Sequence, residues 1–251
     1  MLSSNVLLSS RRLFSTSIKK VGMVGMGLMG HGIAQTAAQA GFQVIAVDAN
    51  EKGLANGMGM IEKSLKKVIS KKVEKGKLSD AAAGEEEYSS IMNRIEPSTS
   101  LSSLADADLV IEAIVEDIDV KIPFYKELGS IVKPSGILAS NTSSLPISVM
   151  AQPSGRASKV VGLHFFNPVQ MMKLVEVVKT DSTDPAVFNE CKEFVKNIGK
   201  TAVSCKDTPG FIVNRLLVPS LSQALLMLER GDASMEDIDI SMQFGAGHPM
   251  G

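Results

Sequence analysis

Val21-Gly-Met-Val-Gly-Met-Gly-Leu-Met-Gly30 constrains this chain more than any other stretch. Gly25, Gly27 and Gly30 spell G-x-G-x-x-G between an apolar run, Val21 to Val24, and a helical pattern, Leu28 to Ala40. The first glycine permits a tight turn, the second lets a pyrophosphate approach the backbone, and the third lets helix pack on strand. Phosphates then meet the N–H groups of the helix N-terminus, at Leu28 and Met29. A glycine-rich turn alone would fit an ordinary α/β connection with no ligand. Here the context is strand, turn, helix, a stop at Gly41, and a second strand from Gln43 that ends in the carboxylate of Asp48. Such a carboxylate accepts hydrogen bonds from adenosine ribose hydroxyls. No arginine follows closely to meet a 2′-phosphate, so NAD is expected rather than NADP.

Beyond that stretch, strand and helix patterns alternate, which predicts an α/β fold with a doubly wound, mostly parallel sheet. A long helix is predicted from Glu51 to Lys75, with Lys63, Lys66, Lys67, Lys71, Lys72 and Lys75 in its second half. Helical residues 117–132 include Pro123, which must sit in the first turn or kink the helix. Strands are predicted near 93–97, 108–114, 137–140, 160–165, 174–178 and 201–205, and a helix from Pro185 to Ile198. From Pro209 to Arg230 the pattern becomes one helix, apolar nearly all round, which should be buried on every side. A boundary therefore falls near Asp207, giving a dinucleotide-binding domain over 19–207 and the start of a helical domain over 208–251.

Residues 1–18 differ from the rest. They contain no acid, several serines and the pair Arg11-Arg12. That is transit-peptide composition, and a mitochondrial matrix presequence cleaved near Phe14–Ser17 is expected. The apolar run Val6-Leu7-Leu8 is far too short for a membrane span. The net charge of −1 argues against nucleic acid as a partner. The two cysteines, Cys191 and Cys205, have no metal-site spacing, and no metal is expected.

His164 closes the strand that leads into Phe165-Phe-Asn-Pro168, and Glu176 lies inside the apolar strand Leu174-Val-Glu-Val-Val178. A carboxylate there is costly unless paired. If the two strands are neighbours, Glu176 meets His164, fixes its tautomer and stabilises its protonated form, as a general base needs. Taken singly, the histidine reads as a satisfied strand-end residue and the glutamate as a solvent-facing one. Ser140-Asn-Thr-Ser-Ser144 falls at the carboxyl edge of the sheet, where such folds bind ligands, although a polar turn has the same composition. Asn214 lies early in the apolar helix, where a capping or solvent-facing amide is the plainer reading.

Longer motifs carry a resemblance. Gly25-x-Gly-Leu-Met-Gly, Glu112-Ala-Ile-Val-Glu116, Ser140-Asn-Thr-Ser-Ser-Leu145, His164-Phe-Phe-Asn-Pro168, Lys173-Leu-Val-Glu-Val177 and Ser204-Cys-Lys-Asp-Thr-Pro-Gly-Phe-Ile-Val-Asn-Arg215 run through the chain from about Lys19 to Gly251. The chain resembles the mitochondrial (S)-3-hydroxyacyl-CoA dehydrogenases of fatty-acid β-oxidation. The resemblance implies a Rossmann-like fold and oxidation of a 3-hydroxyacyl-CoA to the 3-oxoacyl-CoA with NAD. It implies His164 as the base that takes the 3-hydroxyl proton, Glu176 as its orienting carboxylate, and Ser143 and Asn214 as donors near the reacting centre. It further implies Gly25, Gly27, Leu28, Met29, Gly30, Asp48, Glu116, Lys121, Ser143 and Asn167 as NAD contacts. Ser64 and Lys71, with Ser143, fall where the family holds coenzyme A. The family forms homodimers and continues past Gly251 with further helices. On that comparison the chain is expected to be a fragment whose activity and dimerisation suffer, and a non-catalytic NAD-binding remnant is the alternative.

Overall fold

The computed structural model describes residues 16–249. The chain divides after Asp207 into two compact units. The first is built on β1 (Lys20–Val24), β2 (Gln43–Val47), β3 (Ile95–Ser98), β4 (Leu109–Glu112), β5 (Ile137–Ser140), β6 (Val160–Phe165), β7 (Leu174–Lys179) and β8 (Thr201–Lys206), in the spatial order β3-β2-β1-β4-β5-β6-β7-β8. β1, β4, β5 and β6 are each buried along most or all of their length, as strands covered on both faces by helices must be. Strand order reverses between β1 and β4, so the carboxyl ends of β1, β4, β5 and β6 open onto one crevice.

Every neighbouring pair is parallel except β6 and β7. The connection 166–173 is too short for the dozen or more residues of a parallel crossover, so β7 returns antiparallel. That return sets His164 and Glu176 directly opposite each other.

Helices α1 (Gly30–Ala40), α2 (Glu51–Glu74), α3 (Ala81–Met92), α4 (Ile118–Ile131), α5 (Ile147–Ala151) and α6 (Pro185–Asn197) flank the sheet. Ile33, Ala37, Phe42, Ile61, Leu65, Val161 and Phe194 are among the residues of its apolar core. Helices α2, α3, α4 and α6 each start on a side-chain cap: Asn50 accepts from Gly53 N, Asp80 from Ala83 N, Asp117 from Asp119 N and Asp184 from Ala186 N.

Several expectations change. α1 begins at Gly30 rather than Leu28, because Leu28 and Met29 form the turn itself. Pro123 lies in the second turn of α4, so the first-turn alternative of the two expected for it is not the one realised. α5 is a short helix in a stretch for which no element was predicted. Residues 16–18 of the expected transit segment pack against the first unit. Ile18 is 1% exposed and belongs to the core, and Thr16 Oγ1 donates to Glu190 Oε1 at 2.7 Å, an oxygen that also accepts from Ser17 N. The remainder of that segment, 1–15, lies outside the described residues.

The second unit holds α7 (Val213–Arg230) and α8 (Met235–Phe244). α7 starts four residues later than the pattern implied, after a turn at Gly210 and Phe211. Its apolar pattern calls for cover on all sides, but none of its residues is buried, and Leu216 and Leu225 are 71% and 62% exposed, in keeping with the short stretch of chain expected to cover it. One short helix can shade only one side of it. Between α7 and α8 runs a groove of about 510 Å³ lined by Leu221, Ala224, Leu228, Met235, Ile238 and Met242.

Candidate active site

The glycine turn has the geometry a dinucleotide needs. Gly25 adopts φ 86°, and a Cβ there would stand 2.6 Å from the Ala113 carbonyl oxygen. A Cβ at Gly30 would fall 1.7 Å from the Gly25 carbonyl, so α1 can enter this close only without one. Gly27 faces open space, leaving its backbone approachable. Asp48 stands half-buried at the end of β2, and its Oδ2 accepts from Met26 N at 2.9 Å. These residues fit an adenine dinucleotide: N–H groups at a helix N-terminus for the phosphates, a carboxylate for the ribose. His31 Nδ1 lies 2.8 Å from the Gly27 carbonyl oxygen, which anchors that ring to the turn.

At the far side of the crevice, His164 Nδ1 sits 2.7 Å from Glu176 Oε2. Both are buried, Glu176 completely. A carboxylate only accepts, so Nδ1 carries the proton and the basic lone pair of the neutral ring is on Nε2. Phe166 packs against the imidazole with ring centroids 4.4 Å apart. The neighbouring backbone is tied to the β5 loop, where Asn141 Oδ1 accepts from Phe165 N at 2.9 Å.

That loop carries Ser143. Its backbone N donates to Glu116 Oε1 at 2.9 Å and its hydroxyl to the same oxygen at 3.3 Å. Thr142 Oγ1 donates there too, at 2.5 Å. Burial works to raise the Glu116 pKa, but Thr142, Ser143 N–H and Lys121 outweigh it and hold the carboxyl below its ordinary range. Lys121 is buried and bridges Glu116 to Glu112, while Ser140 Oγ donates to Glu112. Burial, reinforced by the Glu112 charge, drives the Tyr125 phenol well above its usual pKa.

The first unit thus gathers His164, Glu176, Ser143, Glu116 and Lys121 near the carboxyl ends of β4, β5 and β6 and the amino end of the antiparallel β7, while Asp48 and the glycine turn close β1 and β2. Asn167 is exposed just past β6. Ser64 and Lys71 lie on α2, seven positions and so about two turns apart, with Ser64 half-buried and Lys71 exposed. Asn214 belongs to the second unit, in the first turn of α7. Sequence reasoning assigned no part to Glu112, Ser140, Thr142 or Asn141. A glutamate that ends the apolar strand Leu109-Val-Ile-Glu112 was the available signal, since such a residue requires a buried partner.

A doubly wound sheet, a glycine turn closed by a carboxylate, and a histidine–carboxylate pair across the crevice define an NAD-dependent dehydrogenase. The family described as 3-hydroxyacyl-CoA dehydrogenase, NAD binding domain, matches residues 20–208, and its C-terminal domain matches 210–251. The chain belongs to the 3-hydroxyacyl-CoA dehydrogenase family and is an NAD-dependent oxidoreductase. It is 49% identical to a probable 3-hydroxyacyl-CoA dehydrogenase of Caenorhabditis elegans, covering 100% of this chain and 82% of the relative. It is 48% identical to the mitochondrial hydroxyacyl-coenzyme A dehydrogenase of Sus scrofa, covering 99% and 77%. The crystal structure of (S)-3-hydroxybutyryl-CoA dehydrogenase from Ralstonia eutropha superposes with a TM-score of 0.87 at 39% identity, covering 94% of this chain and 80% of that one.

Proposed function

We propose that the chain oxidises (S)-3-hydroxyacyl-CoA to 3-oxoacyl-CoA in the β-oxidation of the mitochondrial matrix, with His164 as general base. The observation that carries this reading is the buried His164–Glu176 pair, which leaves the basic lone pair on Nε2. NAD, when bound, accepts the hydride released from C3. His164 takes the proton of the 3-hydroxyl at Nε2. Glu176 steadies the positive charge that then develops on the ring, and in the reverse direction the imidazolium returns the proton. Positioned base catalysis of this kind contributes about 10²–10⁴-fold in rate.

Gly25, Gly27, Leu28, Met29 and Gly30 cradle the pyrophosphate, and Asp48 holds the adenosine ribose. Glu116 and Ser143 face the reacting end, with Asn167 beside them. Ser143 and Asn214 donate hydrogen bonds to the substrate, and Ser64 and Lys71 take the coenzyme A moiety. The mitochondrial name of the Sus scrofa relative supports the compartment, and residues upstream of Thr16 serve as the presequence. The exposed leucines of α7 support self-association of the chain as a homodimer.

The deciding experiment follows NADH absorbance with acetoacetyl-CoA and the purified 251-residue chain. Consumption of NADH, together with NADH production from (S)-3-hydroxybutyryl-CoA, is the expected result. No turnover in either direction, with NADH still bound, would leave only the NAD-binding remnant.

A further inference from the structure

Glu112 ends β4 and is completely buried, and none of the roles assigned above uses it. Its carboxylate is ringed by donors. Lys121 Nζ lies 2.8 and 3.0 Å from its two oxygens, Ile114 N donates to Oε2 at 3.1 Å, and Ser140 Oγ donates to Oε1. Its hydrogen bonds to the ammonium are charge-assisted, and the Ile114 N–H and the Ser140 hydroxyl take further lone pairs.

Lys121, 1% exposed, also reaches Glu116 Oε2 at 3.1 Å. The ammonium therefore stands between two carboxylates, one at the core and one at the rim of the crevice. The resemblance implies Lys121 as an NAD contact, and its Nζ is held here between the two carboxylates. A buried ion pair of this kind is weak evidence for stability, because desolvation offsets its attraction. Its geometric consequence is larger. The rim carboxylate, Glu116, uses its other oxygen to accept from Thr142 Oγ1 and from the N–H and hydroxyl of Ser143.

We propose that Glu112 is a positioning residue for the dehydrogenase reaction: acting through the Lys121 ammonium, it fixes Glu116, and through Glu116 it fixes Ser143 at the cofactor and substrate edge. The inference rests on the reading of Glu116 and Ser143 as site residues. Without the ammonium, two carboxylates would face each other and Glu116 would swing outward. Without Glu112, the ammonium would lose its fixed end and Glu116 its register. In either case the Ser143 loop is released while His164 and Glu176 stay in place.

The test compares Glu112→Gln, Lys121→Met and the double variant in the full chain. It reads Tm, NADH binding by the fluorescence of bound NADH, and kcat and KM with acetoacetyl-CoA. Lys121→Met alone leaves a buried uncompensated carboxylate and should lose the most in Tm. The double variant removes one charge of each sign with side chains of similar shape, and its Tm should recover to within about 5 °C of the parent. Its kcat/KM should nevertheless stay about 10- to 100-fold low, the size of effect that about 1 Å of misplacement produces. A double variant with parental kcat/KM would overturn the positioning role, as would rates that merely follow Tm across the three variants. The two possible failures are separable: a parent chain without turnover counts against the functional reading, whereas an active parent with an equally active double variant counts only against Glu112.

Discussion

His164 and Glu176 are register partners across the one antiparallel strand pair of the sheet, and their side chains meet at 2.7 Å between Nδ1 and Oε2. Directly opposed residues in such a pair project from the same face, so the β6–β7 return suffices to bring them together. His164→Gln removes the base and should lower kcat by about 10²–10⁴-fold while NADH still binds. Stopped-flow turnover paired with NADH titration checks this, and a glutamine variant near the parental rate would remove His164 from the chemistry.

Glu176→Gln addresses the partner. Glutamine keeps an acceptor for Nδ1–H but cannot balance an imidazolium. The loss is that of one hydrogen bond to a charged group, about 1.5–3 kcal/mol, or about 10- to 150-fold in kcat. KM for NAD should hold. A kcat within twofold of the parent would make the glutamate purely structural.

Asp48 tests the cofactor half of the crevice independently. Its Oδ2 already braces the glycine turn through Met26 N, so the carboxylate is pre-oriented before any ribose arrives. Asp48→Ala removes both that brace and the proposed ribose acceptor. NADH affinity should weaken by at least about tenfold, again the size of one charged hydrogen bond, with the His164–Glu176 pair untouched. Fluorescence titration reads it directly. An unchanged Kd would place the adenosine ribose elsewhere.

These predictions rest on features that the sequence displays unevenly. The glycine turn and Asp48 were legible because each glycine answers a local backbone demand and the carboxylate ends a short strand. His164 and Glu176 were legible as a conditional pair, since only strand adjacency had to be supplied. The Glu112–Lys121–Glu116 chain was not. Its members come from the end of β4, from α4 and from the loop between them, and only tertiary packing decides that one lysine serves two carboxylates. The packing of Thr16–Ile18 was hidden for a related reason. Their composition fits the presequence expected over 1–18, and only the folded chain shows that Glu190, far along it on α6, holds Thr16 and Ser17. The helix α5 escaped because five residues carry too little periodicity to announce themselves.

The acid limb of stability follows from Glu116. Its carboxyl is held below the ordinary range in the folded protein, where Thr142, Ser143 N–H and Lys121 overcome the opposing effect of burial. A depressed folded pKa means that the unfolded chain binds the proton more readily. The contribution is therefore complete above the unfolded value, about 4.3, and is lost as pH falls through the lower folded value. Glu116→Gln should then lower Tm at pH 7 and narrow its gap to the parent as pH falls below about 4. Thermal melts across that range check it. A gap that stays constant or widens in acid would show that the carboxylate is not the group involved.

Asp207 offers the last test, at the junction where the first unit ends. α5 starts after Pro146, which provides no side-chain cap, and the Asp207 carboxylate takes that place from sixty residues away. Its Oδ1 accepts from Ile147 N at 2.9 Å and its Oδ2 from Ser148 N at 2.8 Å. Loss of such a cap costs about 0.5–2 kcal/mol, and about 2–4 °C of Tm per kcal/mol in a domain of this size. Because α5 anchors the loop that carries Ser143, Asp207→Ala should also raise KM for the acyl-CoA more than it lowers kcat. Asp207→Asn keeps one acceptor and should recover most of the Tm. If the alanine variant melts with the parent and binds substrate equally well, α5 is held by its buried Ile147 and Met150 instead, and the Asp207 bonds are incidental.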